Sequence, residues 1–131
     1  MAKARILIVE DEAIIASVIS GALRKFNYEV VDILNSGEAA VAAALDKKPD
    51  LILMDIRLPY EDGYGALKKI RASDRLKSIP IIAVTAEAST DQMNKARESG
   101  FDGFLGKPLD PDRFPDQIRR ILSGEAVWEF S

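Results

Sequence analysis

The sequence predicts an α/β protein in which a doubly wound, five-stranded parallel sheet carries helices on both faces. Short apolar runs recur along the chain and are separated by amphipathic stretches long enough to form helices. This alternation is typical of parallel βαβ units, whose strands are buried on both faces. The chain has 131 residues, of which 47% are hydrophobic, so its size fits one domain with a substantial core.

Five strands and five helices follow from this alternation. The strands are expected near residues 4–9, 29–34, 51–55, 81–85 and 103–106. The helices are expected near residues 12–26, 36–47, 63–73, 90–99 and 111–122. These limits predict one domain over residues 1–124, followed by a short tail over residues 125–131.

The first helix is expected to turn a single apolar stripe towards the core. Its apolar residues recur at three- to four-residue spacing, which is the period of one helix face. They are Ile14, Ile15, Val18, Ile19, Ala22, Leu23 and Phe26.

The ends of the later helices also carry local signals. Ser36 suits the N-cap of the second helix, and Ser89 begins a capping box for the fourth helix, which Gly100 closes. A fifth helix that began at Pro111 would lose a backbone hydrogen bond at Pro115. The sequence therefore also allows the fifth helix to begin at Pro115.

The second strand contains Asp32 and is expected at an edge of the sheet. Right-handed crossovers then favour the strand order 2-1-3-4-5, the order of flavodoxin-like sheets. In such sheets, ligands bind beyond the carboxyl ends of the strands, where the chain direction across the sheet reverses. Asp11 and Asp55 follow the two strands at that point.

The composition excludes several classes of function. The chain has no cysteine and no histidine, so disulfides, thiolate nucleophiles and imidazole bases are excluded, and any metal must be held by oxygen. The net charge of −3 gives no general attraction to nucleic acid, and no direct nucleic-acid partner is expected. No signal peptide and no membrane-length apolar run is found, so we expect a cytoplasmic protein without a membrane partner.

Polar side chains follow four of the predicted strands. Glu10 and Asp11 follow the first strand, Asp55 ends the third, Thr85 ends the fourth and Lys107 follows the fifth. Neighbouring carboxylates repel one another, and a hard divalent cation would relieve that repulsion. Few carboxylates at a shallow edge favour Mg²⁺ over the larger oxygen cage of Ca²⁺.

A phosphoryl group accounts for the remaining side chains at this edge. The Asp55 carboxylate can attack phosphorus and form an aspartyl phosphate. Lys107 can make a charge-assisted bond to a phosphate oxygen, and Thr85 can donate its hydroxyl. Positioning and charge neutralisation supply most of the catalysis of phosphoryl transfer, so the lack of histidine is no obstacle.

At these positions the chain resembles the response-regulator receiver family, over residues 4 to about 123. Each short motif is weak alone, but their order and placement together are specific. The matching segments are Ile8-Val9-Glu10-Asp11-Glu12, Leu53-Met54-Asp55-Ile56-Arg57-Leu58-Pro59, Asp62-Gly63, Val84-Thr85-Ala86 and Gly106-Lys107-Pro108.

The resemblance implies that Asp55 accepts a phosphoryl group from a histidine kinase or a histidine phosphotransfer protein. It also implies a Mg²⁺ site formed by Asp11, Asp55 and the backbone carbonyl of Arg57, with Glu10 reaching the ion through a water. Glu10 stands where aspartate is more frequent in the family.

The same resemblance assigns phosphate binding to Thr85, Ala86 and Lys107, and a switch to Thr85 and Phe104. The small Ala86 leaves room for Phe104 to rotate inward, although tyrosine is common at the Phe104 position. A target protein is expected on the face formed by the fourth helix, the fifth strand and the fifth helix. The bond between Lys107 and Pro108 is expected to be cis, and Arg57 is a candidate to pair with Glu87.

Four questions stay open at this point. A Mg²⁺-dependent phosphatase with Asp55 or Asp11 as nucleophile is the main alternative, although the first strand is not followed by an Asp-x-Asp pair. A flavin-binding protein would need a phosphate loop rich in serine, threonine and glycine there. The tail around Trp128 is expected to pack on the domain, to dock on a partner or second copy, as in a homodimer, or to stay unfolded. Truncation from a longer protein is also open.

Overall fold

The computed structural model describes residues 3–59 and 61–130, in which five helices surround a parallel sheet. The strands are β1 Arg5–Val9, β2 Glu29–Leu34, β3 Leu51–Asp55, β4 Ile81–Thr85, β5 Gly103–Gly106 and β6 Trp128–Glu129. The helices are α1 Ala13–Lys25, α2 Gly37–Lys47, α3 Gly63–Arg71, α4 Thr90–Ser99 and α5 Phe114–Leu122. The predicted domain and tail limits at residues 1 and 131 lie outside the described residues.

The strand order is β2-β1-β3-β4-β5-β6, so the predicted order 2-1-3-4-5 is confirmed. The prediction of five strands is wrong by one, because the tail forms β6 in parallel with β5. A strand of two residues is too short to show a periodic pattern in the sequence.

Helices cover both faces of the sheet, as the alternating side chains of its strands require. Ile6 and Ile8 of β1 belong to an apolar cluster with α1 and α5. Leu7 and Val9 belong to a second cluster with α2, α3 and α4. No helix within residues 3–59 and 61–130 is both long enough and apolar enough to cross a membrane.

The predicted N-cap residues are confirmed, but the capping box at Ser89 is only half formed, because the Ser89 amide donates to the Glu87 carbonyl and not to the Gln92 side chain. The Ser36 hydroxyl accepts a hydrogen bond from the Ala39 amide at 3.2 Å, and the Ser89 hydroxyl accepts one from the Gln92 amide at 3.1 Å. Gly100 ends α4 with φ 107°, a left-handed conformation that glycine adopts without a steric penalty.

The fifth helix begins later than residue 111. Residues before it form a turn in which the Asp110 carbonyl accepts hydrogen bonds from the amides of Arg113 and Phe114, at 3.1 and 2.8 Å. The helix proper begins at Phe114 and places Pro115 in its first turn, where a missing amide hydrogen costs nothing. The prediction of a helix from 111 is therefore wrong, and a start near Pro115 is correct to within one residue.

The apolar stripe of α1 is only partly buried. Ile19 and Leu23 are buried, whereas Ile14 and Val18 are 80% and 67% exposed and Phe26 is 45% exposed. Consecutive helical residues point about 100° apart, so the adjacent pairs in the stripe cannot all face the sheet. The expectation that the whole stripe faces the core is wrong, and an apolar surface remains on α1.

Candidate functional site

The register of the parallel strands brings the predicted site residues to one edge of the sheet. Asp55 pairs with Val84 across β3 and β4, and Thr85 pairs with Gly106 across β4 and β5. Lys107, directly after β5, donates its backbone amide to the Thr85 carbonyl at 2.8 Å. The peptide bond between Lys107 and Pro108 is cis, as predicted.

Lys107 is the cation at the centre of the site. Its Nζ lies 3.2 Å from Oδ2 of Asp55 and also forms a short ion pair with Oε1 of Glu10. The three side chains are between 2% and 10% exposed. Charges removed this far from water must compensate one another, because an unpaired buried charge is costly.

The surroundings of the site raise the pKa of Glu10 and the pKa of Lys107. Burial, together with the hydrogen bond and negative charge of Asp55, raises the pKa of Glu10 from 4.5 to about 7, although Lys107 opposes the shift. Burial alone would lower the pKa of Lys107, but its contacts with Glu10 and Asp55 raise it above its ordinary value. Lys107 is therefore charged at neutral pH, while the carboxyl group of Glu10 gains and loses its proton near neutral pH.

We predict that the metal-free protein loses stability as the pH rises from about 5 to 8. A carboxyl group whose pKa is higher in the folded state stabilises the fold fully below its unfolded pKa of 4.5. That contribution is lost as the pH rises through about 7. The free energy of unfolding should then fall by on the order of 2 kcal/mol, with solvent screening allowed for. Urea denaturation at several pH values measures the slope.

Two glutamine variants make this pH prediction specific. Glu10→Gln should flatten the dependence between pH 5 and 8. Glu98→Gln changes an exposed residue of α4 and should leave the slope as in the wild type. A slope that survives in Glu10→Gln would assign the titration to another group.

The three carboxylates of the predicted metal site meet at the same place. Glu10, Asp11 and Asp55 each offer a carboxylate oxygen, and these oxygens all lie within 4.8 Å of one another. Asp11 is exposed, whereas Glu10 and Asp55 are buried. An all-oxygen set with one open side fits a hard divalent cation that keeps part of its water shell.

Two loops flank this carboxylate group. The Arg57 amide donates to Oδ1 of Asp55 at 3.0 Å, and the Thr85 hydroxyl accepts from the Glu87 amide at 3.1 Å. The side chains of Arg57 and Glu87 form an ion pair, as the sequence suggested. Because Arg57 is 72% exposed, this pair lies at the mouth of the site rather than inside it.

The remaining predicted switch residue lies away from the carboxylates. Phe104 is in the middle of β5 and is fully buried in the cluster that contains α2, α3 and α4. Its backbone amide donates to the Val127 carbonyl at 2.9 Å, so the tail is bonded directly to the strand that leads to Lys107.

The sequence prediction missed a surface next to the site. Exposed Ile14 and Val18 of α1 line a groove of about 330 Å³ together with Ala86, Lys107 and Pro108. The signal was present in the sequence, because two adjacent apolar pairs in α1 span too wide an arc for one buried face.

Comparison with known proteins bears directly on this geometry. The family model for the response regulator receiver domain matches residues 6–119. The chain belongs to the response regulator receiver family. This membership confirms the predicted fold and the phosphoacceptor class of signalling protein, and it does not favour the alternative of a small-molecule phosphatase.

Individual relatives show how much of this receiver they share. This chain is 40% identical over 105 residues to the transcriptional regulatory protein PdtaR of Mycobacterium tuberculosis, and the match covers 80% of this chain and 50% of PdtaR. The receiver thus spans about half the length of that relative. It is 34% identical over 117 residues to the polar-differentiation response regulator DivK of Brucella anthropi, covering 89% of this chain and 94% of DivK.

A solved structure matches the receiver over nearly its whole length. This is the receiver domain of the sensor histidine kinase PA1611 from Pseudomonas aeruginosa PAO1, which holds a magnesium ion in its active-site cleft. Its TM-score is 0.84 at 35% identity, covering 94% of this chain and 100% of that one.

Proposed function

We propose that Asp55 accepts a phosphoryl group from the phosphohistidine of a histidine kinase or histidine phosphotransfer protein, and that this event changes protein binding elsewhere on the receiver. The observation that carries the proposal is the Asp55 carboxylate held 3.2 Å from the Lys107 ammonium, within a group of carboxylates at the sheet edge. The proposal includes the cytoplasmic location expected from the sequence. It also assigns the protein a role in signalling and not that of a dedicated enzyme.

The transfer needs a nucleophile and charge neutralisation. An Asp55 oxygen forms a new bond to phosphorus while the bond from phosphorus to the donor imidazole breaks, and the imidazole nitrogen keeps that electron pair. Lys107 neutralises phosphoryl oxygens that arrive beside it. Exposed Ala86 lines a groove with Lys107, and the roles of Thr85 and Ala86 in phosphate binding belong to the proposal.

A divalent cation belongs to the same proposal. Asp11, Asp55 and the backbone carbonyl of Arg57 would hold Mg²⁺, with Glu10 reaching it through a water. The magnesium ion found in the related receiver of PA1611 supports this assignment. When bound, the ion supplies positive charge that stabilises the transferring phosphoryl group.

The donor must present its phosphohistidine at the mouth of this site. The exposed apolar residues Ile14 and Val18 lie on the same groove as Lys107 and Ala86. Exposed apolar surface of this kind favours contact with another protein. We therefore assign the α1 side of the site to the donor.

The downstream target belongs on the face formed by α4, β5 and α5. Here Thr85 and Phe104 would report phosphorylation, because a hydroxyl drawn towards the phosphate leaves space for the aromatic ring. Shifting such a switch from 1:99 to 99:1 takes about 5.5 kcal/mol, which a few charge-assisted bonds can supply. A second copy of this chain is one candidate target, giving a homodimer.

Phosphorylation by a small donor tests the proposed function. With acetyl phosphate and Mg²⁺, mass spectrometry should detect one phosphoryl adduct on the wild type, and none after chelation of the metal. The adduct should be absent from Asp55→Asn and present in Asp74→Asn, which changes an aspartate that is 90% exposed. Equal labelling of Asp55→Asn and the wild type would remove Asp55 from this role.

A further inference from the structure

The tail of the chain forms an added strand on the outer edge of β5. Trp128 and Glu129 pair in parallel with Phe104 and Leu105, and the Phe104 amide donates to the Val127 carbonyl at 2.9 Å. This tail strand, defined here as residues 127–130, lies on the face assigned to a target protein. The β5 edge is therefore occupied by the chain's own segment.

Glycines in β5 create the space for this segment. A Cβ atom at Gly103 would lie 2.6 Å from the Val127 carbonyl oxygen, and one at Gly106 would collide with the backbone of Phe130. Real Cβ atoms essentially never approach backbone so closely. The β5 edge thus accepts a second backbone because two of its four residues carry no side chain.

Successive side chains of the tail strand pack against the two apolar clusters on opposite faces of the sheet. Val127 is fully buried in the cluster formed with α1 and α5, whereas Trp128 packs against the cluster that contains Phe104. The guanidinium of Arg97 in α4 lies 4.5 Å from the centre of the Trp128 ring. The edge therefore selects an apolar residue followed by an aromatic one.

The next residue of the tail strand is held by its charge. The Glu129 carboxylate accepts hydrogen bonds from Arg113 at 2.7 Å, from Gln117 at 2.8 Å and from Arg120 at 3.1 Å. The bond from Gln117 and the two arginines lower the pKa of Glu129. Arg113, Gln117 and Arg120 thus form a carboxylate-binding site at α5, beside the sheet edge, which we call the carboxylate seat.

The occupied edge is connected to the phosphoacceptor. Phe104 pairs with Trp128 in the sheet and gives its amide to the tail strand. Two residues further on, β5 ends at Gly106, which pairs with Thr85, and Lys107 follows. A movement of Phe104 would change the ring packing and the first backbone bond of the tail strand together.

We propose, on the basis of the proposed function, that the β5 edge is a strand-addition site for an extended peptide, and that residues 127–130 are its built-in ligand. The partner is an extended protein segment with the order apolar, aromatic, acidic, which the two clusters and the carboxylate seat recognise. Phosphorylation of Asp55 weakens the hold of the tail strand through Phe104, so the partner segment takes its place. Main-chain pairing supplies affinity and the alternating side chains supply specificity.

The 131-residue chain tests this proposal with two readouts. Trp128 is the only tryptophan of the protein, so its emission, recorded before any peptide is added, reports the tail strand directly. A fluorescein-labelled peptide with the sequence of residues 125–130 serves as the added ligand and is followed by anisotropy. With Mg²⁺ and beryllofluoride, the Trp128 emission should shift to longer wavelength and the peptide should bind at least tenfold more tightly than without beryllofluoride.

A charge-matched pair of variants tests the carboxylate seat. Glu129→Gln should release the tail strand without beryllofluoride and bind the peptide at least tenfold more tightly than the wild type. Glu125→Gln removes another carboxylate that bonds to Arg120 but precedes the strand, so it should behave as the wild type. Equal peptide binding by Glu129→Gln and the wild type would overturn the strand-addition site.

Phosphorylation measured in parallel separates the two proposals. If acetyl phosphate labels Asp55 while Trp128 emission and peptide binding stay unchanged, control of the tail strand is wrong and the phosphoacceptor function stands. If Asp55 is not labelled, the phosphoacceptor function and its control of the tail are both wrong. The comparison of Glu129→Gln with Glu125→Gln then still decides whether the strand-addition site exists.

Discussion

Replacing Lys107 by methionine is expected to lower the free energy of unfolding by about 3 kcal/mol at pH 8 in metal-free buffer. The change removes the cation that contacts both Glu10 and Asp55 and leaves two carboxylates that are 2% and 7% exposed. Removing one partner of a buried ion pair costs more than the pair contributed, because the remaining charge stays buried and uncompensated.

The loss should be smaller at pH 5. The Glu10 carboxyl has a pKa near 7 even with the ammonium beside it, and without Lys107 that pKa rises further. A protonated Glu10 needs no cation, so part of the penalty disappears in acid. Urea denaturation at both pH values measures the two losses.

Phosphorylation by acetyl phosphate should slow roughly 100-fold in the same variant, which is the size expected when one preorganised charge-stabilising group is lost. The matched control is Lys68→Met, which removes an exposed ammonium from α3. Its stability and phosphorylation rate should stay close to those of the wild type. If both variants behave alike, the buried position of the Lys107 ammonium has no special role.

A second large effect is expected at Gly63, the first residue of α3. Gly63→Ala should cost about 3 kcal/mol, because its Cβ would lie 2.7 Å from the Asp55 carbonyl oxygen and 2.7 Å from the Ile56 Cα. Both obstacles are backbone atoms, so relief requires the chain that carries Asp55 to move. Thermal or chemical denaturation measures the loss, and phosphorylation by acetyl phosphate should slow in parallel.

Gly21→Ala is the matched control for this substitution. Gly21 lies within α1, and a Cβ there would meet no atom within 4 Å. The variant should be more stable than the wild type by about 0.5–1 kcal/mol, because alanine loses less backbone entropy in a helix. The same glycine-to-alanine change is therefore expected to lower the free energy of unfolding at position 63 and to raise it at position 21. Equal effects would show that the close approach at Gly63 is not limiting.

The site was predictable because its geometry follows from topology. Glu10 and Lys107 are 97 positions apart in the sequence, yet both follow strands of one parallel sheet. Parallel strands end at the same edge, so the polar residues after them must meet there. Asp55, Thr85 and Asp11 reach the edge for the same reason.

The surface of α1 could not be settled in this way. Apolar periodicity shows that a helix has a face to bury, but the neighbouring elements decide how much of that face is covered. In the fold, Ile19 and Leu23 meet the sheet while Ile14 and Val18 remain exposed beside Lys107. The width of the apolar arc shows that part of the stripe must stay outside the core, but which part is exposed depends on the elements that surround α1.

By itself, the sequence determined the order of strands and helices and the edge at which the acidic group, the hydroxyl and the ammonium collect. These follow from short periodic patterns and from the chirality of βαβ connections, which act over one or two elements. Only the tertiary structure decided that Glu129 and Trp128 form a sixth strand on β5. The contacts that hold this strand come from Arg97 of α4 and from Arg113, Gln117 and Arg120 at α5. These two helices pack on opposite faces of the sheet and meet the tail strand only when the chain has folded.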